Sequence, residues 1–222
     1  MIDQRSDQIA TEFGKACRHA LYKCLTMGNS PTEPERDPFI LELLRYVDQV
    51  TIKVEAIKFA QEKHKDQKYG SDPYFTHLQA VADVVKIYGP RVEAIAYLHN
   101  VIEDTDATND DLYKLFGSEI AVMVDLCTDP QGANRKEKKE KAYAIWSKLG
   151  PAWNNALIVK IADRLCNIRN CVATQDSRLQ MYKDEHTQFK SATFRTGVAE
   201  ELWAEIGSLI GKPATTLKEV QT

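Results

Sequence analysis

An all-α fold is predicted for this chain of 222 residues by three observations. Strand patterning is nearly absent. Apolar residues recur at helical spacing along almost the whole chain, as helices with one buried face require. Gly and Pro interrupt that spacing at intervals that suit helix ends.

The elements follow in order. Residues 7–27 read as one amphipathic helix, with Ile9, Phe13, Ala16, Cys17, Ala20 and Leu21 near helical spacing. The stretch GNSPTEPERDP (28–38) carries one Gly and three Pro and is a linker or surface loop. A short helix is expected over 39–48 and a second from Lys53 through VEAIKFAQEKH. The polar loop KDQKYGSDPY comes next, where Pro73 and the residue before it, Asp72, disfavour helix. Leu78–Tyr88 and Val92–Ile102 are helices separated by Gly89-Pro90. Thr108 is the expected N-cap of a helix running to Phe116 and ended by Gly117. Residues 118–127 and a highly charged segment, 134–149, come before Gly150-Pro151. A mostly apolar helix is expected over 153–170, with tail helices near 178–190 and 198–210. The sum is about ten helices. Residues 1–50 are expected to form a helical extension packed on the core, and 51–222 the principal domain.

Composition narrows the function. Hydrophobic residues are 43% and charged residues 27%, enough to bury a core and keep a solvated surface. A net charge of −3 argues against a binder of nucleic-acid polymers, which shows a basic excess. An anionic substrate would therefore need a locally basic pocket. The five cysteines, Cys17, Cys24, Cys127, Cys166 and Cys171, have no framework spacing and read as reduced thiols of a cytoplasmic protein. The N-terminus lacks the basic start and apolar core of a signal peptide, and no run of about 18 apolar residues would span a membrane.

One stretch carries unusual chemistry. In IAYLHNVIEDTD (95–106) an apolar helix ends in His99, Asn100, Glu103 and Asp104. Glu103 lies four residues beyond His99, and Asp104 four beyond Asn100, so a helix would give each pair one face. His77 follows the polar loop and opens a helix. Asp163 interrupts the apolar run ALIVKIADRLCNI, with Asn167 one turn later. A lone buried carboxylate is costly unless it meets a cation. A single histidine on an apolar face is more often a hydrogen-bonded core residue than a ligand. Three helices that each carry a polar insertion weaken that alternative. Imidazole plus carboxylate suits Mn²⁺, Fe²⁺ or Zn²⁺. Such an ion acidifies water, and Glu103 or Asp104 is placed to take the proton. The RKEKKEK run (135–141) reads first as a solvated helix face, with Glu137–Lys141 an i,i+4 pair. Its functional alternative is that Arg135, Lys136 or Lys139 lines the phosphate side of a pocket. Lys160 and Arg164, which flank Asp163, could likewise attract polyphosphate or extend to solvent.

Four segments, in order over roughly residues 53–195, resemble the RelA/SpoT-type HD hydrolases. YGSDPYFTH with HLQAVADVV is similar to SGEPYxxHPxxVA, AYLHNVIEDTD to ALLHDVxEDT, DDLYKLFGSEIAVMVDLCTD to LxxxFGxxVAxLVxxVT, and VKIADRLCNIRN to VKLADRLHNMR. Length and the lack of a synthetase part make the chain most similar to the small alarmone hydrolases of metazoan SpoT-homologue type. The resemblance implies an all-α HD-domain bundle that uses Mn²⁺ as a rule, another divalent ion being an option. It implies removal of the 3′-pyrophosphate from a guanine or adenine nucleotide, (p)ppGpp or (p)ppApp, with some relatives implicated in NADPH hydrolysis. By motif position, His77, His99, Asn100 and Asp163 would hold the ion, and Glu103 and Asp104 would position and deprotonate water. Lys68, Tyr69, Asn167 and Tyr182 would contact the substrate, with Lys160 and Arg164 beside them. His64 falls in the preceding helix as a surface residue. A homo-oligomer is left open.

Two positions depart from the pattern. Cys166 replaces a histidine after ADRL. Asn100 replaces the aspartate that the family uses as a metal ligand. Asn has nearly the same shape but no charge. A charge pair at about 4 Å in an effective dielectric near 20 is worth about 4 kcal/mol. An amide oxygen recovers part of that, so a loss of ~10- to 1000-fold in metal affinity or rate is expected. Three readings follow: a working enzyme that tolerates Asn, a silent nucleotide-binding regulator or antitoxin-like pseudo-hydrolase, and an engineered isosteric inactivation. The intact remainder favours a hydrolase scaffold in which Asn100 is engineered or recent.

Overall fold

The computed structural model describes residues 38–211, so the helix expected over 7–27 and the loop after it, up to residue 37, lie outside the described residues. The chain divides into two compact units, Met1–Thr128 and Asp129–Thr222. Among the described residues the fold is all-α, as expected, apart from one minimal hairpin.

In the first unit the order is α1 (Pro38–Lys63), β1 (Lys68–Tyr69), β2 (Asp72–Pro73), α2 (Phe75–Val85), a 3₁₀ turn (Lys86–Tyr88), α3 (Pro90–Leu98), α4 (Val101–Asp104) and α5 (Asn109–Cys127). The two helices expected over 39–48 and from residue 53 are one helix of 26 residues that runs straight through position 50. No Gly or Pro separates them, and the hydroxyl of Thr51 donates to the Val47 carbonyl at 2.9 Å without breaking the helix. Ala56 and Ala60 on α1, and His64 just past its end, recur every four residues and are all buried. Helix α3 packs closely against α1.

Helix α3 is the centre of this unit. Pro90 starts it, following Gly89 at φ 94°, a conformation that favours glycine. Nearly every residue from Pro90 to Leu98 is buried, because α1, α2 and α5 all pack on it. Its buried acid, Glu93, is paired with Lys53 at 3.2 Å. The helix expected to continue to Ile102 stops at Leu98. Asn100 leaves the helical region at φ −109°, ψ 0°, so His99 and Asn100 form a turn and α4 is a separate short helix.

Helix α5 opens as predicted. The Thr108 side chain accepts from Asp111 N–H, and the Asp111 carboxylate accepts from Thr108 N–H at 2.9 Å, a full capping box. Gly117, at φ 83° and ψ 169°, produces a kink, and the helix resumes to Cys127. The loop 68–73, expected only to lack helix, closes as a two-residue antiparallel pairing of Lys68 with Pro73 and Tyr69 with Asp72.

The second unit contains α6 (Arg135–Trp146), a 3₁₀ turn (Pro151–Trp153), α7 (Asn154–Thr174), α8 (Arg178–Thr193) and α9 (Glu200–Gly211). Helix α7 is buried without a break from Ala156 to Ala162, with α8 and α9 packed on it and α6 packed on α8. Trp146, Phe189 and Trp203 build an aromatic core, with edge contacts of 6.1 Å and tilted contacts of 5.6 Å. The Lys/Glu face of α6 is mostly solvated, as expected, and holds the Glu137–Lys141 pair. No described helix is long and apolar enough to cross a membrane.

Candidate metal and catalytic site

The first unit gathers most of the singled-out residues around the N-terminus of α2 and the turn after α3. His77 lies in the first turn of α2 and is 4% exposed, while His99, which ends α3, is fully buried. Their rings meet edge to face at 5.5 Å between centroids, and each offers a ring nitrogen within 4.8 Å of the other's. The Ala96 carbonyl accepts from His99 Nδ1 at 2.6 Å. A carbonyl can only accept, so Nδ1 carries the proton and the lone pair lies on Nε2. That tautomer is the one a metal ligand needs, and a backbone carbonyl is a common way to fix it. Two buried imidazoles at this spacing suit a divalent ion.

Asn100, Glu103 and Asp104 follow within one turn. Asn100 is half-buried, and both acids are exposed. The Asn100 carbonyl accepts from Asp104 N–H at 2.9 Å, which preserves the expected four-residue relation despite the break at position 100. The Asn100 amide donates to the Tyr74 hydroxyl at 2.6 Å, and that hydroxyl donates to Asp104 Oδ2 at 2.7 Å.

Around these lies a shell that the sequence motifs left unassigned. His64, expected on the surface, is instead 2% exposed and stacks on Tyr74 at 4.7 Å with rings 13° apart. It faces inward because it continues the Ala56–Ala60 stripe, so burial lowers its pKa, against its hydrogen bond to Gln67, which raises it. His64 Nδ1 donates to Gln67 Oε1 at 2.7 Å, and Gln67 Nε2 donates to the Asp104 carbonyl. Tyr69 stacks on His77 at 4.6 Å and 19°, while its neighbour Lys68 points into solvent. The signals available beforehand were an aromatic beside the Pro73 turn and a histidine four residues past Ala60.

The second unit holds the remainder. Asp163 is half-buried, and Asn167 donates to its Oδ1 at 2.6 Å and its backbone carbonyl at 3.0 Å. Lys160 approaches Asp163 Oδ2 at 3.6 Å and lies over the Trp146 ring at 5.6 Å. Lys160 and Arg164 do not extend to solvent: their side chains are 7% and 5% exposed. The Arg164 guanidinium lies 4.4 Å from the Phe189 ring and donates to the Tyr182 carbonyl at 2.7 Å. Glu185 receives Arg164 at 3.4 Å and Arg135 through two bonds of 2.8 and 3.1 Å. Burial raises the Glu185 pKa, but bonds and charges from Arg135 and Arg164 win and hold it low. Burial, with Asp163 second, pushes the Tyr182 hydroxyl up to about 12, so it stays a neutral donor at neutral pH. Lys139 pairs with Asp129 at 2.7 Å, and burial followed by the Lys160 charge lowers its pKa. Lys136 remains exposed beside Glu140.

A family model described as HD domain matches residues 56–189. The chain belongs to the HD domain family. The match takes in every histidine and carboxylate singled out above. Among curated relatives, the GTP pyrophosphokinase rsh of Brucella melitensis is 34% identical over 152 residues, 65% of this chain and 20% of its own length. The chain therefore spans about a fifth of the first relatives it matches. Guanosine-3′,5′-bis(diphosphate) 3′-pyrophosphohydrolase MESH1 of Danio rerio is 32% identical over 124 residues, 53% of this chain and 67% of its own length. A solved structure described as “A metazoan ortholog of SpoT hydrolyzes ppGpp and plays a role in starvation responses” superposes with a TM-score of 0.62 at 24% identity, over 72% of this chain and 94% of that one. At that identity it supports the fold. The HD domain relatives are of the RelA/SpoT type that the four sequence motifs resemble.

Proposed function

We propose that this HD domain is a metal-dependent 3′-pyrophosphohydrolase of alarmone nucleotides. The observation that carries the reading is the pair of buried imidazoles, His77 and His99, with the His99 tautomer set by the Ala96 carbonyl. The printed activity of the MESH1 relative supports the reaction class. His77, His99, Asn100 and Asp163 would hold the ion, with Mn²⁺ the ion of choice from the motif resemblance. A divalent ion there supplies Lewis acidity to water and to the phosphoryl oxygens.

The chain's own residues do the rest. Glu103 and Asp104 orient the attacking water and accept its proton. Oxygen bonds to the phosphorus attached at the 3′ position, the bond to the 3′-oxygen breaks, and that oxygen takes a proton as pyrophosphate leaves. By motif position, Lys68, Tyr69, Lys160, Arg164, Asn167 and Tyr182 are the candidate substrate contacts. The substrate is a guanine or adenine nucleotide with a 3′-pyrophosphate. Reduced cysteines favour a cytoplasmic location.

The test is pyrophosphate release from ppGpp and ppApp, with Mn²⁺, by the chain and by Asn100→Asp. Turnover that disappears in His99→Ala supports the reading. No turnover of either nucleotide by either form overturns it. Asn100 itself favours a second reading, a nucleotide-binding regulator. Calorimetry that finds tight binding without cleavage in both forms would select it.

A further inference from the structure

The amide at position 100 has only one oxygen to offer, whereas the carboxylate used elsewhere in the family has two. An asparagine ligand therefore works only if something turns the right end inward. In this chain that partner is present. Asn100 Nδ2 donates to Tyr74 Oη at 2.6 Å, and Tyr74 Oη donates to Asp104 Oδ2 at 2.7 Å. The bonds run in one direction, from amide to hydroxyl to carboxylate. The planar amide thus directs Oδ1 away from Tyr74, and the same hydroxyl pins Asp104.

The ring that carries this hydroxyl is itself held. His64 stacks on it at 4.7 Å, His77 meets it edge-on at 5.8 Å, and its backbone N–H donates to the Gln67 carbonyl at 3.0 Å. Gln67 also donates to the Asp104 carbonyl, so one short loop holds both Tyr74 and Asp104.

We propose that Tyr74 is a positioning residue that orients the Asn100 amide as a ligand and Asp104 as the proton acceptor, and so makes asparagine workable at position 100. This rests on the hydrolase reading for its consequence, but not for its geometry. A carboxylate at position 100 has no proton to give Tyr74 and needs no orienting, so Tyr74 matters less in that background.

The experiment is a double-mutant cycle with Tyr74→Phe and Asn100→Asp. It reads Mn²⁺ affinity by electron paramagnetic resonance, kcat and KM for pyrophosphate release, and the Asn100 side-chain amide resonance. Tyr74→Phe keeps the ring on His64 and removes only the hydroxyl. With Asn at position 100 it lowers kcat about 10- to 100-fold at nearly constant KM, weakens Mn²⁺ binding, and shifts the amide resonance. In the Asn100→Asp background the kcat loss shrinks to about threefold or less. Equal losses in both backgrounds, as a merely structural role would give, overturn the proposal. So does an Asn100 amide resonance that Tyr74→Phe leaves in place, whatever the activity. If the resonance moves and Mn²⁺ binding weakens but no form cleaves a nucleotide, the amide's orientation stands and the hydrolase reading fails.

Discussion

At the scale of single residues, Asn100 and His64 have the largest consequences. Asn100→Asp would add a charge to the proposed ligand set, so Mn²⁺ affinity should rise about tenfold or more in a calorimetric titration. It also sets two carboxylates around the Tyr74 hydroxyl, which can serve only one of them. The metal-free protein should therefore melt lower than the parent, and Mn²⁺ should raise its Tm more. His64 gives a pH signature. Its folded pKa lies below the ordinary 6.5 because burial disfavours the charged ring. The unfolded chain therefore binds the proton more readily, and stability is lost as pH falls below about 6.5. His186 shares the direction, again with burial as the first cause. In His64→Phe, which keeps a ring on Tyr74, unfolding free energy should depend less steeply on pH below that value. An unchanged slope in denaturant titrations would refute the assignment.

At the scale of elements, small residues and one glycine set the frame that carries the site. Ala60 is fully buried on α1, which packs against α3. Ala60→Leu would overpack that contact, at a cost of about 1–3 kcal/mol, and would displace the helix that ends in His99. Thermal unfolding would show the loss, and Mn²⁺ affinity should fall with it. Gly117→Ala forces a side chain into φ 83°, so a cost of about 1 kcal/mol or more is expected from backbone strain alone. Much of this level was legible in advance. The Thr108 cap, the Gly117 break and the helices over 153–170 and 198–210 have local signals, because capping and helix termination are decided within a few residues. The long α1 was not, since no breaker between Val47 and Lys53 told one helix from two. The stop at Leu98 was also hidden: the apolar period continues through Val101, and only the dihedrals at Asn100 interrupt it.

At the scale of the whole molecule, the family and the identities of the candidate ligands could be read, and the support around them could not. Short motifs carry the candidate ligands His77, His99 and Asp163, because few residue types can hold an ion. Tyr74 and Gln67 act on residues 26 to 37 positions away, and His64 on the Tyr74 ring beyond the next loop, through contacts that no local pattern announces. Arg164 shows the same limit: its acid, Glu185, lies 21 residues on, so its role beside Tyr182 emerges only in the fold. The most direct test of the central claim is phosphorus NMR of ppGpp incubated with this chain and Mn²⁺. The account predicts pyrophosphate and a nucleotide with a free 3′-hydroxyl as the products, formed slowly by the Asn100 chain, faster by Asn100→Asp, and not at all with a chelator in excess. An unchanged ppGpp spectrum with both forms in saturating Mn²⁺ would contradict it.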